Sequence, residues 1–281
     1  MEYSIDGLSI GLKAPHDLSW TSRYGRVFCV FDQLISGHLG LGIEAEDRRY
    51  FVKYAGASTQ NYAGDPAPVI AKLREADETY QALSHRCLTR RLEAFETRHG
   101  YGIVFDWFPG FALAPLDIHM RRLRTLSPGK RFALFDGLAE FIAMASSRDY
   151  ITAGIADQNI LVDFEGERAI FCSADHFLTM PAINTRGRLP GSPWFLAPEA
   201  YVPCAPLDEA TNVYQLGMLA HTFFGNRASP SPDQWDATPQ LYDVAMKACE
   251  ADPKARYQQA AEFLTAWRQG VMDIPSHWFM G

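Results

Sequence analysis

The chain has 281 residues, of which 47% are hydrophobic and 21% charged, and its formal net charge is −7. This acidic, ordinary globular composition gives no electrostatic basis for a nucleic acid or a membrane as partner, and we predict neither. The five cysteines are odd in number and include no C-x-x-C pair. They therefore argue against structural zinc and a disulfide framework, and favour a reducing, cytoplasmic location.

The first part of the chain is predicted to consist mostly of strands, with one long helix. Three stretches are rich in β-branched and aromatic residues, as strands are, and they cover residues 26–34, 49–54 and 101–108. A glycine-bearing turn at 36–42 separates the first two strands. Between the second and the third, apolar residues recur at helical spacing over 68–83. Pro109 and Gly110 end this part of the chain.

The second part is predicted to be mainly helical. Four stretches are interpreted as helices, at residues 131–146, 210–224, 240–251 and 260–268. Two short strands, at residues 159–164 and 169–174, are joined by a turn. A sheet-rich part followed by a helix-rich part predicts an α+β fold. We expect one domain of two unequal lobes, residues 1–108 and 109–281.

Lys53 is the first candidate for phosphate chemistry. It lies in the apolar segment FVKY, after the glycine-bearing turn and before the long helix. An ammonium group in this place is able to meet the phosphates of a nucleotide, and glycines let backbone N–H groups approach them. The alternative is an ordinary surface lysine on an edge strand.

Four later segments carry a recognisable spacing. They read YITAGIADQNILVDF at 150–164, GSPWFLAPE at 191–199, DEATNVYQLG at 208–217 and ACEADPKARYQQAAEF at 248–263. In this order, and together with Lys53, they resemble the catalytic loop, the end of the activation segment and the later helices of protein kinases. The resemblance covers residues 27–268. It implies the bilobal protein-kinase fold, with ATP as the nucleotide.

The resemblance also implies a nucleotide site in the first lobe. Gly37 and Gly40 match two of the three glycines of the kinase glycine-rich loop. The segment IVFDWFPG resembles the kinase hinge, with Phe105 as its gatekeeper residue. In that alignment the backbones of Asp106 and Phe108 face the adenine.

Two ion pairs follow from the same resemblance. The helix after Lys53 supplies a carboxylate partner for the lysine in kinases, but the expected position holds an alanine here. Glu75 and Glu78 are therefore the candidates, with a solvated helix face as the alternative. Glu199 ends the A-P-E motif, and Arg256 matches the arginine that pairs with it, so a buried ion pair is predicted between them.

The acidic residues of phosphoryl transfer are missing or displaced. The proton acceptor of the H-R-D motif falls on Gly154, and the metal-binding Asp of D-F-G falls on Ser173. Asn159 matches the metal-binding Asn, and Asp157 and Asp175 are spare carboxylates nearby. A serine hydroxyl is a poor ligand for a hard cation, so Mg²⁺ or Mn²⁺ binding is expected to be weak or absent.

A bacterial branch of serine/threonine-kinase-like proteins has a similar layout. Its catalytic loops read like V-D-F-Y-D-G-S, its metal motifs like C-D-I-D and its late helix like D-E-x-T-N-V-Y. In that comparison Asp157 matches the second Asp of the loop, and Asn212 the branch's variant of a kinase helix Asp. For Asp157, a capping or surface role is the alternative. The double change Gly154→Asp, Ser173→Asp is expected to recover some phosphoryl transfer.

Three functions are consistent with these residues. The first is a pseudokinase, which binds a protein partner and a nucleotide without efficient transfer. The second is an active ATP-dependent kinase, acting on a protein or a small molecule, that uses Asp157 and Asp175 in place of the lost carboxylates. The third is an interaction module that binds no nucleotide. The identity of a substrate or partner does not follow from the sequence.

Overall fold

The computed structural model describes residues 2–274 of the chain. The structure is a mixture of helices and strands, so the α+β class expected from the sequence is confirmed. The described residues form two compact units. The first, called the sheet unit here, contains the residues up to Ser84 and Thr89–Phe108. The second, the helical unit, contains His85–Leu88 and the residues from Pro109 onward.

The sheet unit is built on one five-stranded antiparallel sheet. In chain order its elements are β1 (Glu2–Ile5), β2 (Leu8–Gly11), β3 (Arg26–Phe31), β4 (Leu39–Ala45), β5 (Arg48–Ala55), α1 (Pro66–Ala82), β6 (Arg91–Thr97) and β7 (Gly100–Asp106). β1 and β2 form a hairpin, and the other strands lie in the order β3-β4-β5-β7-β6. β5 is therefore the central strand, and α1 packs against it and its neighbour β7.

Helix α1 begins with a local capping arrangement. The carboxylate of Asp65 accepts a hydrogen bond from the backbone N–H of Ala67, at 3.0 Å. Pro66 takes the first helical position, where a missing N–H leaves no hydrogen bond unmade. The helix buries one face against the sheet, through Val69, Leu73, Ala76 and Tyr80.

The glycine-bearing turn predicted at 36–42 is wrong in its second half, because β4 begins at Leu39. Alternate residues of this strand enter the core, namely Leu39, Leu41 and Ile43. Gly40 and Gly42 point to the opposite face. A Cβ on Gly40 would come within 3.0 Å of the Phe51 ring, so this strand position requires a glycine for packing.

The helical unit surrounds one nearly buried helix. Its helices are α2 (Asp117–Arg124), α3 (Pro128–Ser147), α4 (Glu209–Phe224), α5 (Pro239–Ala248) and α6 (Ala260–Met272). Its short strands are β8 (Phe111–Ala112), β9 (Tyr150–Ile151), β10 (Ile160–Asp163), β11 (Arg168–Phe171), β12 (Leu178–Thr179), β13 (Ala182–Ile183) and β14 (Pro206–Leu207). They pair as β11-β10-β8, β12-β9 and β13-β14.

Helix α4 positions much of this unit. It packs against α3, α5 and α6, and 14 of its 16 residues are buried. A helix buried on all sides is expected to be apolar all round, yet α4 also buries Asn212 and Gln215. Buried polar side chains need hydrogen-bond partners, and these two have theirs in the loop that follows β9. Among the described residues, no helix combines the length and hydropathy needed to cross a membrane.

Candidate functional site

Lys53 is a buried lysine in the middle of the sheet. It lies on β5, opposite Gly40 of β4 and Ile103 of β7, and its exposed fraction is 6%. The alternative of a surface lysine on an edge strand is therefore wrong. Its ammonium donates to the Tyr80 hydroxyl at 3.4 Å and lies 6.0 Å from the Phe105 ring centroid. Burial of this kind is costly for a cation and is typical of a functional lysine.

The carboxylates expected beside Lys53 lie elsewhere on α1. Glu75 and Glu78 are both exposed. The helix face that carries Tyr80 to Lys53 presents Ala76 one turn earlier, so neither glutamate shares that face. On α1, Lys53 thus meets the hydroxyl of Tyr80, and the position expected to hold an acid is the buried Ala76.

Asp77 is a buried carboxylate that sequence analysis missed. It accepts two hydrogen bonds from Arg91, at 2.5 and 2.9 Å, and one from the Tyr101 hydroxyl at 3.0 Å. Burial and the bond to Asp77 raise the pKa of Tyr101 to about 12. The buried acid of α1 is therefore bound to β6 and β7, where it fastens the helix to the sheet.

Gly37 has a packing reason to be glycine. Its φ is +81°, in the left-handed region, and a Cβ there would come within 2.9 Å of the Tyr62 ring and 3.1 Å of Val69. The loop that carries Tyr62 is also tied to the turn, because the Asn61 amide donates to the carbonyl of Gln33 at 3.0 Å. The proposed phosphate contacts of Gly37 and Gly40 remain predictions.

The hinge residues end the sheet unit. Phe105 is fully buried on β7. The backbone N–H of Asp106 donates to the carbonyl of Arg90 at 3.0 Å, so this N–H is already used. The Asp106 carboxylate pairs with Arg90 at 3.1 Å and with Arg48 at 3.7 Å. Adenine contacts of Asp106 and Phe108 remain predictions.

In the helical unit, Asn212 on α4 anchors the first residues of the loop at 150–159. Its side-chain oxygen accepts from the backbone N–H of Thr152 at 2.8 Å and from the Thr152 hydroxyl at 3.0 Å. Its amide donates to Ser146 at 2.6 Å and to the carbonyl of Tyr150 at 2.8 Å. The Thr152 hydroxyl also bonds to Gln215. Both N–H groups and the oxygen of the Asn212 side chain thus have partners, so the loop is anchored at its first residues.

Gly154 leaves no room for a side chain. Its φ is +82°, and a Cβ would lie 2.5 Å from Cβ of His176. Real Cβ atoms do not approach that closely, and an L-residue is strained at this φ in any case. The position that the resemblance assigns to the proton acceptor is thus closed by the neighbouring histidine. His176 was not singled out from the sequence.

Asp157 is committed to an ion pair. The residue is 6% exposed, and its carboxylate lies 2.8 Å from a guanidinium nitrogen of Arg227. The other oxygen accepts from the backbone N–H of Gln158 at 3.2 Å. The bond to Gln158 is consistent with the capping alternative given for this residue, whereas a surface role does not fit its burial. Arg227 follows α4 and could not be linked to Asp157 from the sequence.

The remaining candidate metal ligands lie on two backbone segments that are hydrogen-bonded to each other. The backbone N–H of Cys172 donates to the carbonyl of Asn159 at 2.8 Å, which brings the end of β11 beside the loop. Ser173 and Asp175 follow, both half-buried, and the Ser173 hydroxyl accepts from the N–H of Asp175 at 3.5 Å. Within residues 2–274, no three His, Cys, Asp or Glu residues are grouped to hold a metal ion.

The predicted ion pair of Glu199 and Arg256 is confirmed. Two guanidinium nitrogens meet the two carboxylate oxygens at 2.8 and 2.9 Å, and the Arg256 side chain is fully buried. Thr211 donates to the same carboxylate at 3.0 Å, and Arg256 donates to the carbonyl of Ala210 at 2.9 Å. The guanidinium also lies over the Tyr214 ring, 5.0 Å from its centroid. Every charge here is paired, as burial requires.

No protein-family model matches the chain, and no curated protein matches it either. What the chain does therefore has to be inferred from its own residues and contacts.

Proposed function

We propose that this chain is a pseudokinase: a bilobal protein-kinase fold that acts by binding a protein partner, and a nucleotide, without efficient phosphoryl transfer. Support for the fold comes from the antiparallel order β3-β4-β5-β7-β6 with α1 between β5 and β6. The buried Lys53 on β5, the ion pair of Glu199 with Arg256 and the anchoring of the loop by Asn212 add to it.

One observation carries the functional part of the proposal. The loop at 150–159 contains one carboxylate, Asp157, and this group is buried in an ion pair with Arg227. The position where the acid is expected, Gly154, is closed by His176. A phosphoryl acceptor needs a free, positioned carboxylate to orient its hydroxyl. The loop offers none, and this disfavours the hypothesis of an active kinase that uses Asp157.

We expect the site to bind a metal ion only weakly as well. Ser173 stands at the metal-binding position and brings a neutral hydroxyl, which is a weak ligand for Mg²⁺. Asn159 and Asp175 are the side chains that would hold a cation here. Lys53 retains the charge and burial to bind nucleotide phosphates. We therefore propose that the chain binds ATP with little dependence on Mg²⁺ or Mn²⁺. Its partner is proposed to be a protein, and neither a nucleic acid nor a membrane.

The test measures nucleotide binding and phosphoryl transfer in the same preparation. Thermal unfolding is followed with ATP, with and without Mg²⁺ or Mn²⁺, and transfer from γ-labelled ATP is followed in parallel. At a hundred times its Kd, ATP should add about 2.7 kcal/mol, and Lys53→Met should remove this stabilisation. Transfer should stay at background.

Two outcomes separate the other hypotheses. Brisk transfer in the unmodified protein that is lost in Asp175→Asn would show an active kinase with Asp175 as its metal ligand. An absence of any ATP-dependent stabilisation would show an interaction module that binds no nucleotide. Asp243→Asn, at an exposed position on α5, is the control for Asp175→Asn, because it changes the net charge by the same amount.

A further inference from the structure

One segment of the helical unit exposes more apolar surface than its length explains. Among the described residues, eleven large hydrophobic side chains are exposed, and four of them lie between Phe177 and Leu207. These four are Ile183, Trp194, Tyr201 and Val202, with exposed fractions of 62%, 39%, 42% and 52%. Clustered exposed apolar side chains mark interaction surfaces, whereas isolated ones are ordinary.

Three of these side chains belong to two stretches of backbone that are fastened together. Ile183 on β13 pairs with Pro206 on β14. Around this pair, the N–H of Asn184 donates to the carbonyl of Ala205 at 2.9 Å, and the N–H of Cys204 donates to the carbonyl of Asn184 at 2.7 Å. Residues 183–184 and 204–206 therefore lie side by side, and this brings the stretches that carry Ile183 and Val202 next to each other.

The surface also has a fixed base. The amide of Asn184 is fully buried and donates to the carbonyls of Gly187, at 2.5 Å, and Glu199, at 3.2 Å. Glu199 is itself held by Arg256. A preformed surface loses little conformational freedom on binding, which favours docking of a flexible partner.

The exposed charges of this surface have one sign. Between Phe177 and Leu207 the charged residues are Arg186, Arg188 and Glu199, and Glu199 is buried against Arg256. Asp208, the next acid along the chain, caps α4 through the N–H of Ala210. Two exposed arginines thus follow Ile183 on the same stretch, on a chain whose net charge is −7.

We propose that Ile183, Tyr201 and Val202, together with Arg186 and Arg188, form a docking surface for an acidic, apolar segment of a partner protein. We call it the arginine-flanked face. The partner segment places Asp or Glu beside large aliphatic or aromatic residues, so that its carboxylates meet the guanidinium groups and its apolar side chains cover the exposed patch. This assignment rests on the proposed function, because it supplies the chemistry of the pseudokinase's partner.

The arginine content decides between classes of partner. Binding to nucleic acid or to an anionic membrane depends on many basic groups acting together. The arginine-flanked face has two, and the chain as a whole is acidic. Charge-assisted hydrogen bonds to a few carboxylates require no more than this, and they leave the apolar patch as the main source of affinity.

The test selects binders without assuming a partner. Peptides are selected from a random displayed library on the full chain, and the recovered peptides are measured by fluorescence anisotropy. We expect acidic, apolar peptides, whose binding weakens with added salt. Their affinity should fall at least about tenfold in Ile183→Asp and in Arg186→Glu/Arg188→Glu.

Ile118→Asp is the matched control, since Ile118 on α2 is also 62% exposed and lies outside the face. Its affinity should be unchanged, and thermal unfolding must show that each variant is folded. Peptides that are basic, or that bind wild type and Ile183→Asp equally, would overturn the proposal. So would a concentration-dependent dimer that Ile183→Asp abolishes, because a second copy would then cover the face. None of these results depends on whether phosphate is transferred, so the proposed function is tested separately.

Discussion

Two sets of positions in the helical unit behave differently. Asn212 anchors the loop at 150–159, Glu199 is bound by Arg256, and each of their polar atoms described above has a partner. Gly154 in that loop and Ser173 after β11 carry no acid where the resemblance expects one, and Asp157 is paired with Arg227. The polar groups that anchor the backbone are thus fully paired, whereas these three positions provide no unpaired acid.

In this chain, the groups that support the fold are distinct from the positions that a kinase reaction would use. A buried polar group that loses its partner costs stability at once. An acid that faces a ligand carries no such cost, and its removal often relieves repulsion. The fold of this chain therefore does not depend on the residues that a kinase reaction requires. The variants below test that separation, in order of the size of their expected effects.

The largest effect is expected for Arg256→Ala. This change leaves the Glu199 carboxylate buried without its cation and removes a hydrogen bond to Ala210. Breaking a buried pair from one side typically costs about 3–5 kcal/mol. The free energy of unfolding, measured by denaturant titration, should fall by this amount. Lys254→Ala, an exposed neighbour, should change it by less than about 0.5 kcal/mol. Equal, small effects from both changes would contradict a buried pair.

A second large effect is expected from acid, through His221 on the same helix α4. Both ring nitrogens are buried without a hydrogen-bond partner among the described residues. Burial lowers the pKa of His221 to about 4, from 6.5 in an unfolded chain. Between these two pH values the unfolded state binds more protons, so stability is complete above pH 6.5 and is lost as the pH falls towards 4. The expected loss is about 3 kcal/mol.

The control for this pH dependence is the variant His221→Leu. His16 and His85 also have pKa values lowered by burial, and they contribute the same acid dependence to both proteins. The difference between the two curves of unfolding free energy against pH therefore isolates His221. Parallel curves for the two proteins would show that this ring is hydrated or paired in solution.

An intermediate effect is expected for Gly154→Ala. The positive φ and the approach to Cβ of His176 should together destabilise the protein by about 1–3 kcal/mol. Gly187→Ala is a matched control, because Gly187 has a φ of +79° but its nearest contact would be an ordinary 3.6 Å. The excess cost at Gly154 measures the contact with His176. It should shrink in the background His176→Gly, which removes the clashing atom, whereas a constant excess would mean that His176 is not involved.

The smallest effect is expected for Asp157→Asn. The ion pair with Arg227 is partly exposed on the arginine side, so we expect a loss of about 1–2 kcal/mol, between the values for surface and buried pairs. Arg227→Gln should cost a similar amount. Neither change should alter stabilisation by ATP or the background level of phosphoryl transfer. A loss of measurable transfer in Asp157→Asn alone would show that the carboxylate works on a substrate.

The long elements of the fold were predictable because their signals are local. Helix α1 has its cap at Asp65 and an apolar face, and α3, α4, α5 and α6 overlap the other helical stretches that the sequence predicts. The hairpin β1–β2, strand β6 and helix α2 were missed. Strand β4 was taken for a turn because Gly40 and Gly42 usually mark turns. Their small size is required instead by rings from other strands, and that requirement cannot be seen in a local window.

Contacts in the candidate site were predictable only where both interacting residues belong to recognisable motifs. Glu199 and Arg256 both belong to recognisable segments, and their ion pair followed from the sequence. The pairs that decide the chemistry did not follow. Arg227 reaches Asp157 from the far end of α4, and His176 closes on Gly154 through the packing of β9 with β12. Neither contact produces a recognisable spacing of residues in the sequence.

The contact of Gly154 with His176 leaves no space for an acid at position 154. The sequence alone suggested that Gly154→Asp, with Ser173→Asp, would restore activity. In the structure, any side chain at 154 meets Cβ of His176 first, so even an alanine at 176 would keep the obstruction. A side chain at 154 therefore requires a change at residue 176 first, and that change brings no carboxylate of its own. The two positions are coupled, so a variant designed to carry an acid at 154 should begin with His176→Gly.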